Sequence, residues 1–365
     1  MNRDASAPHA LRHQVDLAPY TTMEVGGKAS RYLVVEDEGR LSEALRWSRD
    51  QRLPVSVLGG GSNVVIADDG VQGLVLRVAL RGFHLRRDGD AVLLTLAAGE
   101  PWDEAVERSV AEGLAGLECL SGIPGTAGAT PIQNVGAYGR EIADVVAAVR
   151  VLDRSSLTNS VLTPEGLAFD YRSSRLRNAP ERFVVLDVTL RLVRGGTGEV
   201  HYPELRRALE VSTADPSPAR VREAVLELRR SKSMVIDPAD PNRRSVGSFF
   251  INPVIEPQAA AELERRAAAL GVGRAVPLFP AGEGRVKVSA AWLIEHSGFS
   301  KGFTSGAVGL SNRHCLALVN RGGATAREII DFAKGIRRAV QDRFGILLQP
   351  EPVFMGFERS NPLDG

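Results

Sequence analysis

The chain is short of the features that usually place a protein at sight. Cysteine is nearly absent: Cys119 and Cys315 are the only two in 365 residues and lie far apart. That excludes a disulfide framework or a cysteine-rich metal site, and leaves two buried thiols in a reducing compartment as the expectation. An excess of one charge is missing too. The 45 Lys and Arg nearly balance 44 Asp and Glu, for a net charge of +1, so no bulk attraction to nucleic acid or anionic membrane is expected. No apolar run reaches the ~18 residues needed to span a bilayer. The opening "MNRDASAPHALRHQVDLAPY" carries no apolar signal-peptide core, so a soluble, cytoplasmic protein is expected. No internal repeat is visible, and no metal site is expected.

The pattern that is present is mixed α+β. Strand-like "ASRYLVVE", "PVSVL", "GLVLRV" and "AVLLTLAAG" are separated by helices expected at 38–51 and from Pro101 onward, each with its apolar residues on one side. The Pro- and Ser-rich stretch "STADPSPAR" (212–220) reads as a linker. Beyond it come helices at 257–270 and 289–297, strand-like "HCLALVN", and a long last helix opened by "TARE". In that tetrapeptide Thr325 and Glu328 can form a reciprocal capping box. The expected division is 1–72 and 73–212 as two N-terminal subdomains, 213–346 as a further domain, and 347–365 as a returning C-terminal segment.

Two stretches stand apart because they hold no charge and much glycine. The first, "LGGGSN" (58–63), follows a strand. Gly59 and Gly61 fill the first two positions of G-x-G-x-x-G, but Val64 occupies the third and no amphipathic helix follows, so a Rossmann fingerprint is excluded. The second, "CLSGIPGTAGATPIQNVGAYG" (119–139), has no charged residue between Glu118 and Arg140. Either stretch alone reads as a set of tight turns. Together, with Ser62, Asn63, Ser121, Thr126, Gln133 and Asn134 as neutral polar groups, they favour backbone nests around a large nucleotide such as a flavin dinucleotide.

"GGGSN" with "SGIPGTAGATPIQNVGAYG", then "YRSSRLR", "GSFFINP" and "LQPEP", in that order, resembles the UDP-N-acetylenolpyruvoylglucosamine reductase family over about residues 20 to 357. The resemblance implies a two-subdomain FAD-binding domain of the vanillyl-alcohol-oxidase/PCMH type and a C-terminal α+β substrate domain. It implies non-covalent FAD, NADPH as hydride donor, and reduction of the enolpyruvyl ether of UDP-N-acetylglucosamine enolpyruvate to UDP-N-acetylmuramate for peptidoglycan. Catalytic roles are implied for Arg172, Ser248 and Glu351: a guanidinium for the substrate carboxylate, a proton donor and a second acid. FAD contacts are implied for Gly59, Gly60, Gly61, Ser62, Asn63, Ser121, Gly122, Ile123, Pro124, Gly125, Gln133, Asn134, Gly136 and Ala137. Substrate contacts are implied for Tyr171, Tyr202, Lys232, Asn252 and His296. The long spacing between Arg172 and Ser248 matches the subclass that closes a Tyr202-bearing loop over substrate.

The chain departs from the family pattern at Thr21, Ile251, His296, Gln349 and Pro352, positions that bear on substrate and NADPH contacts rather than on the three catalytic groups. Two competing readings remain. An oxidase of the same fold acting on a polyol or hydroxy acid often carries FAD on a histidine near the first Gly-rich stretch, and no histidine lies between residues 14 and 83. A flavin-binding sensor without turnover would have no need of Arg172, Ser248 and Glu351 together.

Overall fold

The computed structural model describes residues 7–196, 198, 200–210 and 216–364. The chain forms two units. One comprises residues 1–15, 29–61 and 71–236; the other comprises 16–28, 62–70 and 237–365.

Among the described residues the first unit holds two large sheets, besides the two-stranded pair of Gly136–Ala137 and Arg140–Glu141. In one, the order is Arg12–Asp16, Lys28–Val35, Val71–Val78, Val55–Leu58, with Lys28–Val35 and Val55–Leu58 both running parallel to Val71–Val78. The helix Glu38–Asp50 supplies the crossover. Asp37 starts it by accepting from the Arg40 amide at 2.8 Å, a side-chain cap for an otherwise orphan donor. The other sheet is antiparallel, ordered Asn159–Leu162, Val146–Asp153, Phe183–Arg194, Ala91–Ala97, Phe83–Asp88. Alternate residues of Ala91–Ala97 and Phe183–Arg194 are fully buried, Leu94, Leu96, Val188 and Leu190 among them, as a half-buried strand requires.

Both sheets share one core, which joins Leu33, Leu41 and Leu76 to Leu94, Trp102, Val149 and Leu190. Among the described residues this core draws on both 29–61 and 71–196, so the expected boundary at 72/73 does not divide it, while Met23, Val25 and Val65 join the core of the other unit. The helix Pro218–Ser231, expected to open a third domain, also packs in this unit: Val221, Ala224 and Val225 cluster with Cys119, Val200 and Leu205. Its N-cap is Ser217, which accepts from the Arg220 amide at 3.3 Å. Of the stretch read as a linker, residues 212–215 lie outside the described residues.

The second unit is discontinuous in sequence because distant segments pair. Val64–Ile66 runs parallel to Val353–Met355. The Asp68 carboxylate accepts from the Ala326 and Arg327 amides at 2.7 and 3.0 Å, at the start of the helix Ala326–Phe344, where a negative charge is favoured. The Asn320 side-chain amide donates to the Met23 carbonyl at 3.0 Å. These bonds explain why 16–28 and 62–70 join the C-terminal half. The Thr325–Glu328 capping box forms as expected. The helix buries Ile329, Ala333, Ile336, Val340 and Phe344 against Phe249, Phe250, Leu293 and Trp292. Among the described residues, no helix is long and apolar enough to cross a membrane.

Candidate active site

In the first unit the two Gly-rich stretches meet. The strand Val55–Leu58 ends at Gly59, and a Cβ placed on Gly60 would lie 2.8 Å from Gly125 Cα and 3.1 Å from its carbonyl carbon. One on Gly59 would lie 2.9 Å from Thr126 Oγ1. At Gly60 only glycine lets the two backbones approach so closely. Gly61 has φ 67°. Among the described residues, the amides of Gly59, Gly60 and Gly61 donate to no backbone carbonyl. Consecutive unengaged amides in a bare, closely packed turn suit the phosphates of a dinucleotide, so these residues fit FAD.

The second stretch is pinned from behind. Trp102 donates its amide to the Gly125 carbonyl at 3.0 Å. Gly122, at φ 72°, donates to Asp103 Oδ1 at 2.6 Å, and the Arg222 guanidinium grips the same carboxylate at 2.6 and 3.2 Å.

Two polar side chains expected to face the cofactor are engaged inside the protein. Ser121 is fully buried and donates to the Glu118 carbonyl at 2.7 Å. The Asn134 amide nitrogen donates to Glu141 at 2.7 Å and to the Asp170 carbonyl at 3.1 Å, while its oxygen accepts from the Ala143 amide at 3.2 Å. Asn63, in the second unit, donates to the Glu351 carbonyl at 3.3 Å and accepts from the Val353 amide at 3.0 Å. It thereby ties the end of the first Gly-rich stretch to the C-terminal segment. The carbonyl of Ser62 accepts from Thr22 Oγ1 at 3.3 Å. Ile123, Pro124, Gln133, Gly136 and Ala137 lie half-buried along the second stretch.

Arg172 lies beside that second stretch. Its terminal nitrogens donate to the carbonyls of Asn134 at 3.2 Å and Gly136 at 2.7 Å, and Nη1 lies 3.9 Å from Glu141 Oε1. Its backbone has φ 54°, a left-handed conformation that costs a non-glycine residue free energy and concentrates at functional sites. Tyr171 presents its ring 5.4 Å from the guanidinium carbon.

A second polar cluster of the same unit surrounds Tyr202, which starts the helix Pro203–Ala208 and is 37% exposed. Its ring meets Tyr138 edge-on at 5.6 Å. Lys232 lies 5.8 Å from the Tyr138 ring and donates to Glu204 at 2.6 Å. Burial pushes the Tyr138 phenol up to about 12, so it stays a neutral hydroxyl at neutral pH. Sequence reasoning missed Tyr138, Glu204 and Glu141. The signal for Tyr138 was there, since it is the aromatic residue of "QNVGAYG"; nothing local marks the two glutamates.

In the second unit the segments that carry Ser248 and Glu351 run side by side. The segment 248–251 runs between 316–317 and 349–351. Phe249 donates to the Leu316 carbonyl at 2.8 Å, Glu351 donates to the Phe249 carbonyl at 2.9 Å, and Ile251 donates to Gln349 at 2.9 Å. Phe249 and Phe250 are buried and anchor the segment, leaving Ser248 half-buried beside the extended segment that carries half-buried Glu351. Pro350 and Pro352 flank Glu351 and fix its backbone in an extended form. Asn252 accepts from the Ala290 amide at 2.9 Å, at the start of the helix Ala290–Glu295. His296 stacks on Trp292 with ring centres 4.2 Å apart, and its Nδ1 lies 2.8 Å from the Trp292 carbonyl. The side-chain oxygen of Asn252 and one ring nitrogen of His296 are therefore already occupied within the protein.

A family model described as an FAD binding domain matches residues 29–157, and one described as UDP-N-acetylenolpyruvoylglucosamine reductase, C-terminal domain, matches 238–355. The chain is 46% identical to the UDP-N-acetylenolpyruvoylglucosamine reductase of Streptomyces coelicolor over 94% of its own length and 90% of the relative's. To that of Thermobifida fusca it is 47% identical over 95% and 98%. The crystal structure of the Thermus caldophilus UDP-N-acetylenolpyruvylglucosamine reductase superposes with a TM-score of 0.63 at 26% identity, covering 94% of this chain and 99% of that one. The α+β fold, with an FAD-binding domain followed by a C-terminal α+β domain, is the one the sequence pointed to. This chain belongs to the UDP-N-acetylenolpyruvoylglucosamine reductase family, a family of FAD-containing oxidoreductases.

Proposed function

We propose that this chain reduces the enolpyruvyl ether of UDP-N-acetylglucosamine enolpyruvate to UDP-N-acetylmuramate in the cytoplasm, with NADPH as the hydride source. The observation that carries the reading is that the segment bearing Ser248 lies alongside the one bearing Pro-flanked Glu351, joined by the Glu351–Phe249 backbone bond. A proton donor beside a second acid is of no use to a flavin sensor. FAD, when bound, supplies hydride transfer, and the bare backbone of Gly59–Gly61 is the element that would hold its phosphates.

The chain's own residues then handle charge and protons. An enol ether is electron-rich, so its terminal carbon accepts hydride only if the developing negative charge spreads into the adjacent carboxylate. Arg172 is assigned that charge. Its planar guanidinium can meet both carboxylate oxygens, which a lysine could not do, and preorganised charge of this kind commonly contributes ~10²–10³ in rate. Ser248 is assigned the proton for the neighbouring carbon. A serine hydroxyl is a weak acid in water but sufficient against an enolate. The atoms then balance: the substrate gains one hydride and one proton. Tyr202, Tyr138 and Lys232 form a hydrogen-bonding and cationic cluster suited to the nucleotide diphosphate, with Tyr171, Asn252 and His296 as further contacts. The oxidase reading loses ground because Ser248 and Glu351 have no part in alcohol oxidation by oxygen.

The test is NADPH consumption with and without the enolpyruvyl nucleotide, with product identified by mass, in the native chain and in Ser248→Ala. Substrate-dependent consumption with equimolar lactyl product is expected. Ser248→Ala should slow reduction of the nucleotide by ~10²–10⁴ while flavin reduction by NADPH stays within about twofold. Equal losses in both halves would remove Ser248 from the proton-donor role.

A further inference from the structure

Arg172 is held from within by groups scattered along 39 residues of sequence, from Asn134 to Arg172. Two of its N–H groups go to the carbonyls of Asn134 and Gly136, so the position of that short segment sets the plane of the guanidinium. The segment is in turn set by Asn134, which sits at φ 44°, a conformation asparagine tolerates better than most residues. Its side chain bonds three ways, to Glu141, to the Asp170 carbonyl and from the Ala143 amide. Asp170 lies two residues before Arg172 in the chain, so the same side chain also fixes the backbone that carries the arginine. Glu141 closes the circuit: one carboxylate oxygen accepts from Asn134 at 2.7 Å, and the other lies 3.9 Å from Arg172 Nη1.

We propose that Glu141 is a positioning residue for Arg172, acting with Asn134 to fix the orientation of the guanidinium before substrate arrives. The inference rests on the assignment of Arg172 to the substrate carboxylate. Bidentate recognition needs the planar fork held to within a fraction of an ångström. A guanidinium bonded only to two carbonyls could still pivot about them. A carboxylate on the Nη1 side removes that freedom, and the ordering entropy is lost at folding rather than in the reaction. On this account Asn134 serves the arginine rather than the flavin.

The test compares Glu141→Gln, Arg172→Lys and the double variant in the flavin-loaded enzyme, measuring each half-reaction and, by calorimetry, binding of the enolpyruvyl nucleotide. Glutamine keeps one acceptor oxygen for Asn134 and replaces the oxygen that faces Arg172 by an uncharged NH2 donor. Glu141→Gln should slow reduction of the nucleotide about tenfold to a hundredfold. Flavin content, melting temperature and reduction by NADPH should be unchanged, and nucleotide affinity should change by less than the rate does. The double variant should be no slower than Arg172→Lys alone, because the two residues act as one unit. Full losses that multiply in the double variant, or a native rate in Glu141→Gln while Arg172→Lys is slow, would overturn the proposal. A native rate in Arg172→Lys would instead overturn the assignment of Arg172, and the positioning role with it. If Glu141→Gln fails to fold, Asn134→Gly decides: it permits the left-handed backbone, removes the side-chain links, and should show the same selective loss.

Discussion

Gly60 offers a sharp test of whether the two Gly-rich stretches form a cradle or only turns. A methyl group added there would come within 2.8 Å of Gly125 Cα, 3.1 Å of its carbonyl carbon and 3.4 Å of the Thr126 amide nitrogen. All three are backbone atoms, so no side chain can swing aside and the segments must part. Overpacking of this kind costs ~1–3 kcal/mol. Where the strain appears depends on what the contact is for. If the close approach exists to grip FAD, the apoprotein relaxes by letting the segments separate, and cofactor binding must force them together again. The dissociation constant for FAD should then rise about 5- to 150-fold, at ~1.4 kcal/mol per tenfold, with little change in the melting temperature of the apoprotein. Gly59→Ala is the internal control. Its methyl would meet only Thr126 Oγ1, at 2.9 Å, and a side-chain rotation relieves that. Flavin fluorescence titration and thermal unfolding of both apoproteins read the two quantities. An unchanged FAD affinity with a lowered apoprotein melting temperature in Gly60→Ala would refute the cradle and leave two tight turns.

Two further expectations concern chemistry outside the cradle. Burial raises the thiols of Cys119 and Cys315 to about 12 and about 11, so neither should be alkylated at pH 8 in the folded protein and both should react in denaturant; rapid native labelling at either would contradict their burial. Glu38 accepts from both terminal nitrogens of Arg150, one of them at 3.1 Å, and from Asn159 at 3.1 Å, and the hydrogen bond from Arg150 holds its carboxyl below its ordinary value of 4.5. A depressed folded-state value means that the unfolded chain binds the proton first. The stabilisation is therefore complete above the ordinary value and lost as pH falls through the folded one. Glu38→Gln should be less stable than the native chain near pH 7, with the gap closing toward pH 3 in denaturant titrations; a gap independent of pH would remove the ion pair from the account.

Local pattern made much of this fold legible. One-sided apolar spacing marked the helix Glu38–Asp50, and "TARE" marked the start of Ala326–Phe344 through a cap that needs only four consecutive residues. The Gly-rich stretches announced themselves because a backbone that must approach another backbone cannot carry Cβ atoms. Long-range pairing was not legible. Nothing in "NVVIADDG" says that Val64–Ile66 pairs with Val353–Met355 nearly 290 residues later, and that pairing is what moves 62–70 into the C-terminal unit. The direction of side chains was equally hidden. Ser121 and Asn134 read as cofactor contacts because a neutral polar residue in a glycine loop looks the same whether it faces a ligand or bonds inward. Ser121 bonds to the Glu118 carbonyl three residues back, and Asn134 to a glutamate seven residues on. Arg172 was recognisable only by motif, because "DYRSSRLR" offers three arginines and its left-handed backbone leaves no mark on the sequence.

The most direct measurement is an anaerobic titration of the purified, flavin-loaded protein, first with NADPH and then with UDP-N-acetylglucosamine enolpyruvate, followed by visible absorbance. The account predicts a yellow protein that one equivalent of NADPH bleaches and one equivalent of the enolpyruvyl nucleotide restores. A protein that bleaches but recovers its colour only in air would contradict the proposed substrate, and one that takes up no flavin would contradict the reading of Gly59–Gly61 on which the account stands.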